Sequence, residues 1–145
     1  MSALALGTLL ADAAQGGAYF VDARDRVALI EVANALSFAI LPVDFAGCLD
    51  KSQALEAIAQ ALRFPDWFGS NWDALADCLD DLSWLPAAGY LLLLEHADAW
   101  RAAEPEAFGV LLEILNETAQ SWAQVGVPFW ALTPLPATML AEMAF

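Results

Sequence analysis

Apolar and polar positions along this chain follow two periods, and the changes from one to the other divide it into elements. Residues 2–14 are rich in Leu and Ala at helical spacing and stop at Gln15-Gly16-Gly17. A short apolar run over 18–21 predicts a strand. From 24 to 36, Val27, Ile30, Ala33 and Leu36 recur on one helical face, with Asp22 as a cap before the first turn. Residues 38–45 read as a strand, although Pro42 removes a ladder donor and so predicts an edge position or a bulge. Asp50 caps a helix over 51–62, where Leu55, Ile58, Ala59 and Leu62 form one apolar stripe. Pro65 closes that region, because a residue before proline is pushed out of the helical conformation.

After a loop at Trp67-Phe68-Gly69, the pattern predicts a short helix over 71–82 and a turn across 86–89. The unbroken apolar run at 90–94 fits a strand buried on both faces. A long helix over 105–125 is stopped by Gly126, and 128–132 is the last apolar strand. The tail from Thr133 onward, with Pro134 and Pro136, reads as a short peripheral helix or a frayed end. Strands alternating with helices predict an α/β domain with a small, mainly parallel sheet of three to four strands covered by helices. Residues 1–37 are too few to hold a core alone. They are expected to form an extension of helix, short strand and helix, adding a sheet edge or a cover to the domain of 38–145.

Composition narrows the class. Of 145 residues, 60% are hydrophobic and 17% charged, so burial can offset the ordering entropy and the chain should fold. Nineteen acids face five Lys and Arg, a formal charge of -14 that repels phosphates and anionic lipid head groups. Direct nucleic-acid and membrane partners are therefore not expected, whereas a basic protein would be attracted. No Lys or Arg precedes Arg24, so the start lacks the basic region of a signal peptide, and a soluble cytoplasmic protein, monomeric when free, is expected. Cys48 and Cys78 make no disulfide framework and read as reduced thiols.

Catalysis finds little support. The chain has no phosphate-cradling glycine loop, no nucleophile elbow, no Cys-x-x-Cys and no His-x-x-x-His, and its single His96 reads as a hydrogen-bonded strand end. No cofactor is expected. A carboxylate-only metal site at Asp73, Asp77 and Asp80 would be loose, since a helix spreads those oxygens along about 10 Å.

The informative segment is 64–82. At about 100° per residue, Asp73, Asp77 and Asp80 fall within a stripe roughly 60° wide, with Trp72, Leu75, Leu79 and Leu82 on the opposite side. One face is apolar and the other is a row of carboxylates. Like charges at this spacing cost a helix a few tenths of a kcal/mol, a cost that a cationic partner would convert into attraction. Asp73 also has an ordinary explanation, with Ser70 as N-cap and Asp73 completing a capping-box variant. Asp77 lies beyond the first turn, and its ordinary explanation is a solvated surface charge.

The run Phe-Pro-Asp-Trp-Phe-Gly-x-Asn-Trp-Asp-Ala-Leu-x-Asp-Cys-Leu at 64–79 is similar to the signature of the barstar family of ribonuclease inhibitors: a Pro-containing aromatic loop, Gly, Asn, and a helix reading Asp-Ala-Leu-x-Asp-Cys-Leu. The resemblance extends loosely over about 95 residues, and residues 1–37 have no counterpart in the short family members. It implies a three-stranded parallel sheet and a short helix whose carboxylates plug the active site of a secreted-type microbial ribonuclease inside its producer. It also implies site roles: Trp67 as the contacting loop aromatic, Gly69 for close approach, Asn71 before the helix, and Asp73 and Asp77 as the acids entering the enzyme's phosphate subsites. Ala76 stands where the family has a bulky aromatic, and Ser121 and Val125 approximate positions where family inhibitors add acids. Asp80, Asp81 and Trp84 are candidate substitute contacts, and Glu95 could face the carboxylate helix. The implied partner is a small basic ribonuclease; the alternative is another basic protein or toxin, with this chain as its immunity protein. Trp72, Trp84, Trp100, Trp122 and Trp130 read as packing residues, and Cys78 as a small buried hydrophobe.

Overall fold

A computed structural model describes residues 2–143; residue 1 of the extension and residues 144 and 145 of the tail lie outside the described residues. In chain order the elements are α1 (Ala3–Ala11), β1 (Gly17–Asp22), α2 (Arg26–Ala35), β2 (Ala39–Asp44), α3 (Lys51–Ala61), α4 (Trp72–Asp81), β3 (Tyr90–Glu95), α5 (Asp98–Ala103), α6 (Pro105–Ala123), β4 (Phe129–Leu135) and α7 (Ala137–Met143). The four strands form one parallel sheet in the order β1-β4-β3-β2. The apolar runs that lack alternation, β3 and β4, take its centre, as burial on both faces requires.

Side chains of β3 and β4 then divide between two cores. Tyr90, Leu92, Leu94, Phe129 and Ala131 meet α3, α4 and α6 through Leu55, Ile58, Leu75, Leu79 and Leu115. Leu91, Leu93, Trp130 and Leu132 point to the other face, where Leu10 of α1 and Leu29 and Ala33 of α2 cover them. The first 37 residues thus supply a fourth strand on β4 and the layer over the second face. Trp130 pins that layer by donating its indole N–H to the Leu10 carbonyl at 3.0 Å.

Both sheet edges are managed. Pro42 lies on β2, an edge strand, as its missing donor demands. At the β1 edge the Ala18 N–H donates to Asn116 Oδ1 of α6 at 2.8 Å, so a side chain takes the place of a further strand. A Cβ at Gly17 would lie 2.8 Å from that oxygen, which is why the closure needs glycine there.

Several boundaries depart from the sequence expectation. α1 stops at Ala11 and is followed by a separate turn at Ala13–Gln15 capped by Asp12. The segment at Asp98–Ala103 is a helix that the pattern did not mark; at six residues it is too short to show a period, and it folds around the buried Trp100. β4 runs on to Leu135 through Pro134. Its pairing with β3 ends at Leu132, so Pro134 has only β1 beside it and no ladder bond to β3 is lost. Among the described residues no helix is long and apolar enough to cross a membrane.

The exposed His96 ties the end of β3 to the end of β2 through Nδ1, 2.9 Å from Asp44 Oδ1. The hydrogen bond and then the charge of Asp44 raise the imidazole above its ordinary value. A raised folded value means that the pair adds stability below the ordinary imidazole range, about 6.5, and that the contribution is lost as pH rises through the folded value. A proton NMR titration should show the raised midpoint, and Asp44→Asn should return it toward the ordinary one. An unmoved midpoint in the variant would assign the shift elsewhere.

Candidate functional site

The site is built on α4 and the loop before it. The sequence expectation that Ser70 caps this helix is corrected: Ser70 has φ 52, in the left-handed region, and turns the chain into the helix. Asn71, extended at φ -137, is the cap, its Oδ1 accepting the Ala74 N–H at 2.8 Å. Its Nδ2 reaches back to the Gly69 carbonyl at 3.3 Å, and a Cβ at Gly69 would lie 3.3 Å from that nitrogen. Asn and Gly at these positions therefore close one turn. With Asn71 as the cap and Ala74 the residue three positions on, the capping-box role of Asp73 disappears. Asp73 still lies in the first turn, favourable to the helix dipole, and its carboxylate is exposed.

The other side of α4 is fixed. Leu75, Cys78 and Leu79 are buried, and the helix ends at buried Leu82 with φ 46. Trp122 of α6 donates its indole N–H to the Leu79 carbonyl at 2.9 Å, and Lys51 sits 5.1 Å from the centre of the Trp72 ring. In the loop, Phe64 packs edge-on against Phe68 and Trp84, and the Trp84 indole donates to the Leu62 carbonyl at 2.9 Å. Trp67 stands on Trp84 at 6.5 Å between ring centres and remains 59% exposed. The loop is thus a packed aromatic platform carrying one outward tryptophan.

Asp73, Asp77, Asp80 and Asp81 are exposed, while Ala76 among them is half-buried. Three basic side chains are paired elsewhere, Arg24 with Asp22 at 2.6 Å, Arg26 with Glu95 and His96 with Asp44, while Lys51 lies over the Trp72 ring. Among the described residues Asp73 and Asp77 form no ion pair. The expectation that Glu95 faces α4 is corrected: Arg26 of α2 takes it by Nε at 2.8 Å and Nη2 at 2.5 Å, leaving the Glu95 side chain 17% exposed. Among the described residues, no three or more His, Cys, Asp or Glu are grouped to hold a metal ion.

One acid was missed from the sequence. Glu117 of α6 acts on Asp80: partial burial, then the charges of Asp77 and Glu117, raise the Asp80 carboxyl above its usual range. The negative face therefore crosses from α4 onto α6, one turn before exposed Ser121. The available signal was the helical period of α6, which puts Glu117 and Glu113 one and two turns ahead of Ser121.

The family model described as Barstar (barnase inhibitor) matches residues 38–134, about two thirds of the chain. The chain belongs to the barstar family. Significant matches to curated proteins or solved structures are absent. The barstar match begins one residue before β2 and ends within β4, so it includes the aromatic loop and α4 and leaves β1, α1 and α2 outside.

The raised Asp80 gives a stability prediction. A carboxyl with a raised folded value opposes folding once ionised, and the penalty fades as pH falls through that value. Asp80→Asn should stabilise the free protein at pH 7 by about 0.3 kcal/mol, the scale of an exposed like-charge pair, and by nothing near pH 3. Urea unfolding at the two pH values measures it; an equal gain at both would assign the effect to something other than charge.

Proposed function

We propose that this chain is a protein inhibitor of a small basic ribonuclease, blocking the enzyme's active site with Asp73 and Asp77 while Trp67 packs at the edge of the contact. The observation that carries this reading is the pair of exposed carboxylates one turn apart on a helix whose other side is packed, neither of them in an ion pair among the described residues. A ribonuclease pocket of Arg, Lys and His is built to hold phosphate oxygens. Rigid carboxylates can accept the same charge-assisted hydrogen bonds without being a substrate.

Gly69 and Asn71 shape the approach, and Ala76 leaves room on the contact face for a side chain of the partner. Asp80, with Glu117 beside it, widens the negative field that draws a basic enzyme in. Membership in the barstar family supports the inhibitor class, and the residues named here are the mechanism proposed for this member.

The direct assay is inhibition of RNA cleavage, with barnase as the first enzyme and the ribonuclease captured from the producing cell as the second. Tight one-to-one inhibition of either is the expected result, with association slowing as salt is raised. A second reading, an immunity protein for a different basic toxin, is favoured by exposed Ser121 and by Val125 at 69% exposure, which offer no acid on the end of α6. Capture of a basic protein without ribonuclease activity would decide for it.

A further inference from the structure

On the sheet face turned away from α4, the helices of the extension do not close completely over β1 and β4. A cavity of about 450 Å³ opens between them, within the size range of small-molecule sites. Trp130 forms part of its lining, held by the bond to Leu10, and the Tyr19 ring leans on it at 5.6 Å with 36° between planes. Tyr19 is 47% exposed, and its hydroxyl donates to the Gln15 carbonyl at 2.7 Å, which fixes the ring. Leu6, Leu9 and Leu29 supply apolar wall.

Among the described residues the one charged side chain on this lining is Asp25. Arginines flank it in sequence, yet both are committed elsewhere, Arg24 to Asp22 and Arg26 to Glu95. Asp25 has no ion pair among the described residues. A ligand here meets two aromatic rings, an apolar wall and one carboxylate that is in no ion pair among the described residues, within a chain of net charge -14 that repels anions.

We propose that this cavity binds a flat aromatic amine, its ring against Tyr19 and Trp130 and its ammonium beside Asp25. Aromatic pairs gain over aliphatic contact of equal area through offset or edge contacts, which the tilted Tyr19–Trp130 arrangement offers. The charge of Asp25 selects the amine over a neutral or anionic analogue of the same ring. The inference is independent of the inhibitor reading, because the cavity and α4 lie on opposite faces of the sheet.

Three probes sharing one ring test it by calorimetric titration of the full chain: tryptamine, 3-methylindole and indole-3-acetate. Tryptamine should bind one-to-one, 3-methylindole about two- to fivefold more weakly, as one exposed charge pair allows, and indole-3-acetate more weakly again. Asp25→Asn should erase the preference for the amine. Ala28→Phe, which fills the cavity from the exposed side of α2, should lower affinity for all three by about two- to tenfold, the size of one lost aromatic contact. Asp73→Ala with Asp77→Ala should leave tryptamine binding unchanged. Chemical-shift changes centred on the Trp130 indole N–H would place the ligand without reliance on a variant. No saturable binding of tryptamine, an anion bound as tightly as the amine, or shifts centred on Trp67 would each overturn the proposal.

Discussion

Replacing Asp73 and Asp77 together by alanine is expected to weaken the complex with the proposed ribonuclease partner by about four orders of magnitude and to leave the free protein as stable as before. Removing one member of a buried ion pair costs about 3–5 kcal/mol, because the partner's charge is left desolvated and unmatched. At 1.4 kcal/mol per tenfold change, either substitution alone is worth about a hundredfold or more. The residues are one turn apart and share a cationic pocket, so the two losses should not add fully. In the free protein both side chains are exposed and lack internal partners, and alanine is the best helix former. Affinity by titration calorimetry and stability by urea unfolding, measured on the same preparation, separate the two effects. Unchanged affinity would remove the carboxylates from the mechanism, and a large loss of stability would show that they serve the fold.

Deletion of residues 1–37 is expected to abolish cooperative folding. The deletion takes away β1, which is the neighbour of β4 on one side, and the layer made by α1 and α2. It would expose Phe38, Leu91, Leu93, Trp130 and Leu132, all at 8% exposure or less in the intact chain. At about 1.5–3 kcal/mol for each large apolar side chain, the loss is comparable with the whole stability of a domain of this size. The truncated chain should bind a hydrophobic dye and lose its near-ultraviolet dichroism, the behaviour of a state without fixed packing. A cooperative transition at the midpoint of the full chain would mean that the matched family region is self-sufficient and the extension only sits on it.

Much of this architecture was legible in the residues because the apolar pattern records which faces are buried. The unbroken Tyr90–Glu95 run announces a central strand, Pro42 an edge, Asp50 a cap and Gly126, at φ 76, a helix stop. The stripe of Asp73, Asp77 and Asp80 was likewise visible, since side-chain direction on a helix follows from spacing alone. The cap of α4 was not. Ser70 and Asn71 are both good caps, and the choice depends on which backbone takes the left-handed conformation as the loop packs on Trp84. Glu95 failed for a different reason: its partner Arg26 is 69 positions away, brought near by β1 and α2 together. Glu117 depended in the same way on how α6 is laid beside α4, a packing angle that no local pattern contains.

The most direct test of the anion-mimicry account is competition between this protein and a nucleoside 3'-monophosphate for the same ribonuclease, followed by titration at fixed enzyme concentration. If the Asp73 and Asp77 carboxylates occupy the phosphate subsites, the apparent dissociation constant should rise in proportion to nucleotide concentration, and no ternary complex should form. An affinity that stays constant as the nucleotide saturates the enzyme would place the inhibitor elsewhere on the ribonuclease and contradict the account.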